Sequence, residues 1–432
     1  MIAMSLVCFL TLEHLNRSHS LSGGALRVGG LRYLFSRLGY DSVVLRPKSA
    51  IAASEGERLF EGEDFHSELK GINPDLLIVE QWALLDSLPP MNCPVICDLH
   101  GSLYWENWYK SYRDSRQLLA KVHCLQKADY FFVPGLRQYY YFLGWGMMAG
   151  LPCDEDRILK VPLVLDPQWY GDESPERKSS LVAGGGKWPW VYTDVEKDLS
   201  AYFKKQGFAL ESYYYEPGVS RAGETGAGSH ASSEQGQSHG SIVSTYMKSG
   251  GALDLYWMNR ERSLAITTRT VEYLYCGLPV IYAEGLELSD LIRSQGLGVV
   301  VKDWRELLKI SNLNEVLNQS REKVSQWKER KEWEEEALGL LSSLQGSLSK
   351  RRQTSFSIGS VETENRQLKK DLTTAKTSLV LVEHQNEFLK EERAYYRDLW
   401  VRDTREGYYS MMEMMGFPAD KLRGRGTGNE ES

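Results

Sequence analysis

Residues 267–284, Thr-Thr-Arg-Thr-Val-Glu-Tyr-Leu-Tyr-Cys-Gly-Leu-Pro-Val-Ile-Tyr-Ala-Glu, restrict the fold more than any other stretch of the chain. The first ten residues carry an amphipathic helical pattern through Val271 and Leu274. Gly277 follows, the residue best suited to the left-handed conformation that ends a helix. Pro279 cannot continue the helix, and Val280–Ala283 is an apolar run of strand length. A helix emptied by a tight turn into a short, wholly apolar strand belongs in a parallel sheet covered on both faces.

The same alternation recurs along the chain. Strands are expected over residues 4–10, 43–45, 75–79, 94–97 and 130–133, with helices through Leu38, over 112–127 and over 134–142. Pro162–Asp166 looks like a domain edge, and a second α/β series begins at Ser180. It offers strands at 181–183, 208–214, 252–256, 279–282 and 299–301, separated by helices at 192–205, 241–248, 268–276, 288–295 and 303–316. Residues 216–240 are rich in Gly, Ser and Glu with almost nothing apolar, and read as a surface loop. Short apolar strands alternating with helices make the chain an α/β protein.

Composition removes several function classes. The 432 residues suffice for two or three domains. A net charge of -7 argues against a general nucleic-acid binder, so nucleic acid is not an expected partner. Cys8, Cys93, Cys97, Cys124, Cys153 and Cys276 form no CxxC pair, and reduced core cysteines are expected rather than zinc ligands or disulfides. The apolar start, Met1–Leu10, lacks a basic flank and reads as a first strand rather than a leader. No run of 18 apolar residues is present. The expected compartment is the cytoplasm.

Three glycine-bearing or strand-end segments carry candidate chemistry. The helix start at Thr267, Thr268, Arg269 and Thr270 offers free amides and hydroxyls to a phosphate oxygen, and Arg269 a bidentate cation. Glu272, one turn in, suits ribose hydroxyls, although a capped surface helix explains the same pattern. Gly23 and Gly24 follow the first strand and open a helix, letting backbone approach a diphosphate; a plain tight turn is the alternative. Gly184-Gly185-Gly186-Lys187-Trp188-Pro189-Trp190 follows the first strand of the second series, with Lys187 its only cation and Trp188 and Trp190 able to stack on a base or sugar. Asp98-Leu99-His100-Gly101 ends a predicted strand, where ligands of open α/β sheets gather. Tyr104, Trp105 and Trp108 follow as an aromatic acceptor wall or a packed lid. No DxD-type metal pair is evident.

Arg269–Glu284 resembles the donor-binding segment of the GT-B-fold retaining glycosyltransferases, the glycogen-synthase and sucrose-synthase-like superfamily (family-4-like). Its matching pieces are Glu272, Gly277-Leu278-Pro279-Val280 and Glu287. The resemblance implies two Rossmann-like domains facing a cleft, followed here by a C-terminal helical or coiled-coil extension. It implies a nucleoside-diphosphate sugar as donor substrate, no other cofactor, no metal and retention at the transferred carbon. It assigns Glu272 to the ribose, the Glu287 loop to the donor sugar and diphosphate, and His100 to the cleft beside the transferred sugar. Gly23 and Gly24 would lie across from the diphosphate, and Gly185, Gly186, Lys187, Trp190, Thr268, Arg269 and Thr270 around the nucleotide. Lys187 and Arg269 would stabilise the leaving group. His100 is a candidate contact, not an assigned base. The acceptor is a carbohydrate, a lipid-linked group or a small molecule.

One position departs from the pattern. The family often carries a second Glu eight residues before the ribose Glu; that position is Leu264, with Glu261 the nearest substitute. A catalytically degenerate binding or scaffold protein, or a sugar-nucleotide epimerase, therefore remain open alternatives.

The expected organisation is an acceptor-side domain over 1–165, a nucleotide-sugar domain over 166–318, a charged helix and flexible linker over 319–360, a helical extension over 361–417 and a disordered tail over 418–432. Val361, Leu368, Ala375, Val382, Leu389 and Tyr396 form a heptad seam, consistent with a homodimer or higher oligomer through 361–400 or with a single long helix packed on the catalytic body. Membrane contact is expected to be peripheral at most.

Overall fold

A computed structural model describes residues 5–49, 51–61, 65–110, 116–151, 157–171, 176–186, 188, 195–215, 237–255, 259–329 and 332–354. Residues 1–354 form one compact unit and 355–432 another. The heptad seam and the tail, like Lys187 and Trp190, lie outside the described residues.

The first lobe is built on a seven-stranded sheet. Its strands are β1 (Leu6–Leu10), β2 (Asp41–Pro47), β3 (Glu57–Phe60), β4 (Leu76–Glu80), β5 (Val95–Asp98), β6 (Tyr130–Val133) and β7 (Ile158–Lys160), in spatial order β3-β2-β1-β4-β5-β6-β7. Every pairing is parallel; Cys8, for example, faces Val43 on one side and Leu77 on the other. Strands β4, β5 and β6 are buried along their whole length, which is why they read as unbroken apolar runs. Helices α1 (Gly23–Arg37), α2 (Phe65–Ile72), α3 (Leu103–Tyr109), α4 (Arg116–Leu125) and α5 (Leu136–Met148) complete the lobe. Val28, Leu31 and Leu34 of α1 pack on one sheet face, while Phe142 and Trp145 of α5 belong to the core on the other.

The second lobe has five parallel strands, β8 (Ser180–Gly186), β9 (Ala209–Tyr215), β10 (Gly251–Asp254), β11 (Val280–Ala283) and β12 (Gly298–Val301), in order β12-β11-β10-β8-β9. Helices α6 (Val195–Lys205), α7 (His239–Lys248), α8 (Arg260–Leu264), α9 (Thr268–Tyr275) and α10 (Ser289–Gln295) connect them. Helix α9 ends as its sequence dictates: Gly277 sits at φ +72°, and β11 starts three residues later.

The C-terminal helices divide their packing. In α11 (Leu313–Glu329), Leu317 and Val324 join second-lobe cores. In α12 (Glu332–Thr354), Ala337, Leu341 and Leu344 join the first-lobe core beside α1. Within the charged helix and flexible linker expected over 319–360, Glu332–Thr354 is helical. Its apolar residues, spaced four and three apart, form a stripe that only the other lobe's surface can bury.

Both sheets reverse direction at one point, between β1 and β4 in the first lobe and between β8 and β10 in the second. Ligands of open α/β sheets enter beyond the carboxyl ends of the strands at such points. The glycine loops at Gly23–Gly24 and Gly184–Gly186 stand there, one on each lobe.

Candidate functional site

Helices α1 and α9 meet across the lobes by their N-termini. Ser22 caps α1 by accepting from Ala25 N at 3.0 Å. A Cβ on Gly23 would stand 3.1 Å from Thr268 Oγ1, so the first turn of α1 lies in close contact with α9. On the far side Arg269 lies over β8, its guanidinium filling the space a side chain at Gly185 would need. Gly185 also has φ +115°, open to glycine and strained for other residues. Arg269 Nη1 is 3.9 Å from Asp254 Oδ1 at the end of β10, and Thr270 donates its hydroxyl to Asp254 Oδ2. Two helix N-termini and one arginine converge here, an arrangement suited to an anion. Gly23, Gly185, Thr268, Arg269 and Thr270 are therefore brought together. Gly186 ends the same strand.

Glu272 sits deeper than a ribose contact suggests. It is buried and accepts from Tyr170 Oη at 3.0 Å and His239 Nε2 at 2.7 Å. His239 takes a further hydrogen bond at Nδ1 from Arg17 Nε at 3.3 Å, which leaves its proton on Nε2 facing the carboxylate. Arg17 also donates to Trp169 O at 2.7 Å. The network joins the β1–α1 loop, the interlobe segment, α7 and α9. Burial and then the charge of Glu272 push the Tyr170 phenol well above its usual range.

Glu287 likewise faces the first lobe. Its Oε1 accepts from Leu136 N at 2.8 Å, capping α5, and Oε2 pairs with Arg137 Nε at 3.2 Å. Arg137 in turn donates to Ser263 O at 2.9 Å and to Gly285 O. Gly135 leaves room for this contact, since a Cβ there would be 2.9 Å from Glu287 Oε1.

His100 is clamped on every side. Nδ1 is 3.1 Å from Asp98 Oδ2, Nε2 is 3.4 Å from Glu80 Oε1, and its carbonyl accepts from Gln138 Nε2 at 2.9 Å. Asp98 is also held by Arg27, whose Nη2 donates to Oδ1 at 3.0 Å. Burial alone raises Asp98, but Arg27 and His100 overcome it and hold the carboxyl below its ordinary range. Burial depresses His100, yet the Asp98 hydrogen bond and the Asp98 and Glu80 charges carry it up to about 9. Glu80 is raised to about 7 by burial and by the neighbouring Glu13 carboxylate. Nothing marks Glu80 in the sequence beyond its place as the polar end of an apolar strand. The strand order reveals it, because β4 borders the switch point.

The segment after His100 forms α3. Trp105 stacks beneath Arg260 of α8, 4.9 Å from its ring centre, and Tyr109 Oη accepts from Arg260 N at 3.3 Å. Glu106 reaches back over Gly101 and is raised to about 7 by burial and then by Glu261. Glu261 itself is buried against Arg262, whose Nη2 donates at 2.7 Å. The substitute for the acid missing at Leu264 is thus neutralised by its own neighbour. Among the described residues, no group of three His, Cys, Asp or Glu could hold a metal ion. No described helix is long and apolar enough to cross a membrane.

Two parallel α/β lobes flanking a cleft, with helices returning from the second lobe to the first, define the GT-B fold of glycosyltransferases. Sucrose-phosphate synthase from Thermosynechococcus elongatus superposes with a TM-score of 0.52 at 13% identity, over 82% of this chain and 100% of that one. HepE from Anabaena, solved with UDP-glucose, gives 0.47 at 11% identity over 79% and 100%. An alpha-glucosyltransferase solved with UDP and a 13-mer DNA gives 0.45 at 12% identity over 78% and 95%. In sequence, 72 residues are 38% identical to Glucosyltransferase 3 of Streptococcus parasanguinis, covering 16% of this chain and 22% of that protein. The match thus spans about a fifth of that relative's length. No family model matches the chain.

One expectation is corrected here. Net charge was taken to argue against a general nucleic-acid binder; the finding that overturns this use of it is the alpha-glucosyltransferase solved with a 13-mer DNA. A net charge of -7 sums over the whole surface and says nothing of one cleft.

Proposed function

We propose that the protein transfers a sugar from a nucleoside-diphosphate sugar to an acceptor hydroxyl. The observation that carries this reading is the convergence of Gly23, Thr268, Arg269 and Gly185 at the facing switch points. The diphosphate would lie against the two helix N-termini with Arg269 on one flank, and Lys187, from the same glycine loop as Gly185, adds a second cation. Charge developing on the leaving diphosphate is met by these fixed groups, which supports transfer without a metal. His100 and Gly24 form the first-lobe wall, and His100 serves as a charged contact. With both ring nitrogens facing carboxylates, it is poorly placed to take a proton from the acceptor. Retention, in which donor and acceptor share one face, follows from the resemblance of Arg269–Glu284 to the retaining enzymes. Gly186, Trp190, Thr270 and Glu287 complete the proposed nucleotide-side set, Thr270 and Glu287 by shaping the cleft.

A second reading has its own support. Glu272 Oε1 is already engaged by Tyr170 and His239, and Leu264 replaces an acid. Those facts suit a protein that binds a nucleotide sugar without turnover.

A thermal-shift screen against UDP-, GDP-, ADP- and dTDP-sugars tests the donor, since a ligand of the native state raises apparent stability. Stabilisation by one nucleotide series is expected, and its loss in Arg269→Ala. Stabilisation without release of nucleotide in the presence of sugar acceptors selects the binding-only reading. No stabilisation by any of them removes both.

A further inference from the structure

We propose that Glu80 is a positioning residue that shares one proton with His100 and thereby keeps the first-lobe wall of the cleft from carrying a net negative charge at neutral pH. Glu80 is 2% exposed, and among the described residues neither Lys nor Arg pairs with it. Its Oε2 accepts from the Thr11 hydroxyl; its Oε1 takes no hydrogen bond and faces His100 Nε2 at 3.4 Å. Gly24 is what admits it, because a side chain there would collide with Oε1. A buried carboxylate without a fixed cation is costly, so its charge depends on the ring beside it.

The surrounding groups fix the proton count. Arg27, from α1, neutralises Asp98 at the end of β5. Glu13, from the β1–α1 loop, adds negative charge beside Glu80 and makes its proton harder to lose. Glu106, from α3, and Gln138, from α5, face the His100 side, the latter through the backbone carbonyl. Glu80 and His100 are left to titrate as a pair, with the proton on either partner. Loss of that proton as pH rises leaves Glu80 anionic beside a neutral ring. The cleft wall then gains one negative charge where an anionic donor would lie. This consequence rests on the donor reading above; the shared proton does not.

The test is a histidine-labelled NMR titration of the full chain, the His100 signal being assigned by its loss in His100→Asn. The ring should titrate near pH 9 rather than at about 6.5. Glu80→Gln removes the charge and should lower the midpoint by about 1 unit or more. Thr11→Val removes a donor to the carboxylate, makes it more basic and should raise the midpoint. A merely structural role predicts that both variants drift toward the ordinary value. A midpoint near 6.5 in the wild type, or the same downward drift in both variants, overturns the proposal. Calorimetry with UDP from pH 7 to 9.5 reads the consequence: affinity should fall over the range in which His100 titrates. If UDP fails to bind at any pH, the donor reading falls and the NMR titration still decides the pair.

Discussion

Glu272 shows how one residue can be found in a sequence and yet be misread in its surroundings. Its place one turn into α9 was legible, because Val271, Leu274 and Gly277 set the helix and its end. Its partners were not, since Tyr170 lies 102 residues away and His239 33 residues away. No local pattern encodes such contacts. Glu272→Ala would leave the Tyr170 hydroxyl and the His239 N–H buried without an acceptor, costing about 1–3 kcal/mol for each donor left unsatisfied. Urea denaturation should show a loss of that order, and Tyr170→Phe a smaller one; the double mutant should be less than additive. A stability change within about 0.5 kcal/mol for Glu272→Ala would instead mark a solvent-facing ligand. Gly185 gives a second case. Alanine there meets both a positive φ and the Arg269 guanidinium. Gly185→Ala should cost about 1–3 kcal/mol and displace Arg269, weakening calorimetric nucleotide affinity as Arg269→Ala does. Unaltered affinity would place the nucleotide elsewhere.

Helix α5 owes its start to the other lobe. Gly135 supplies no side-chain cap, so the amide of Leu136 finds its acceptor in Glu287, a residue of the β11–α10 loop. The same carboxylate holds Arg137, whose guanidinium reaches two second-lobe carbonyls. One helix end thus carries a direct tie between lobes. Glu287→Ala should destabilise by roughly 1 kcal/mol, the usual worth of a cap, and loosen closure. Small-angle scattering of the ligand-free variant should give a larger radius of gyration than the wild type; an equal radius would deny the tie. At this scale the sequence was legible where burial on both sheet faces made strands continuously apolar, as in β4 and β11. It was silent where polar residues sit inside strands. The four residues of β3, Glu57–Phe60, include Glu57, which is buried because Arg46 of β2 pairs with it at 3.0 Å. The three residues of β7 are too short to show a period.

Residues 1–354 are two sheets closed by a returning chain, and their pH response follows from what each lobe buries. The alternation of strand and helix made both sheets legible. The return did not show, because Ala337, Leu341 and Leu344 lie in a stretch dominated by charge and serine. The titratable groups inside the first lobe pull in two directions. Asp98 and Glu57 are held below the carboxylate range in the fold, both despite burial: Asp98 by Arg27 and His100, Glu57 by the amides of Ser54 and Leu15 together with Arg46. The unfolded chain binds protons to them first, so their contribution is present above about pH 4 and is lost as pH falls through the folded values. Glu80 and His100 shift the other way, to about 7 and about 9. For groups raised by folding, the native state binds the extra proton. Their contribution is complete below the unfolded values, about 4.5 and 6.5, and drains away as pH rises through 7 and then 9. The His100 shift alone corresponds to roughly 3 kcal/mol at about 1.4 kcal/mol per unit. The thermal midpoint should therefore be highest at about pH 4.5 and decline steadily to about pH 9. In Glu80→Gln the part of that decline between about pH 4.5 and 7 should vanish. A wild-type midpoint that stays level from pH 7 to 9.5 would mean that the buried pair holds no extra proton in the folded protein.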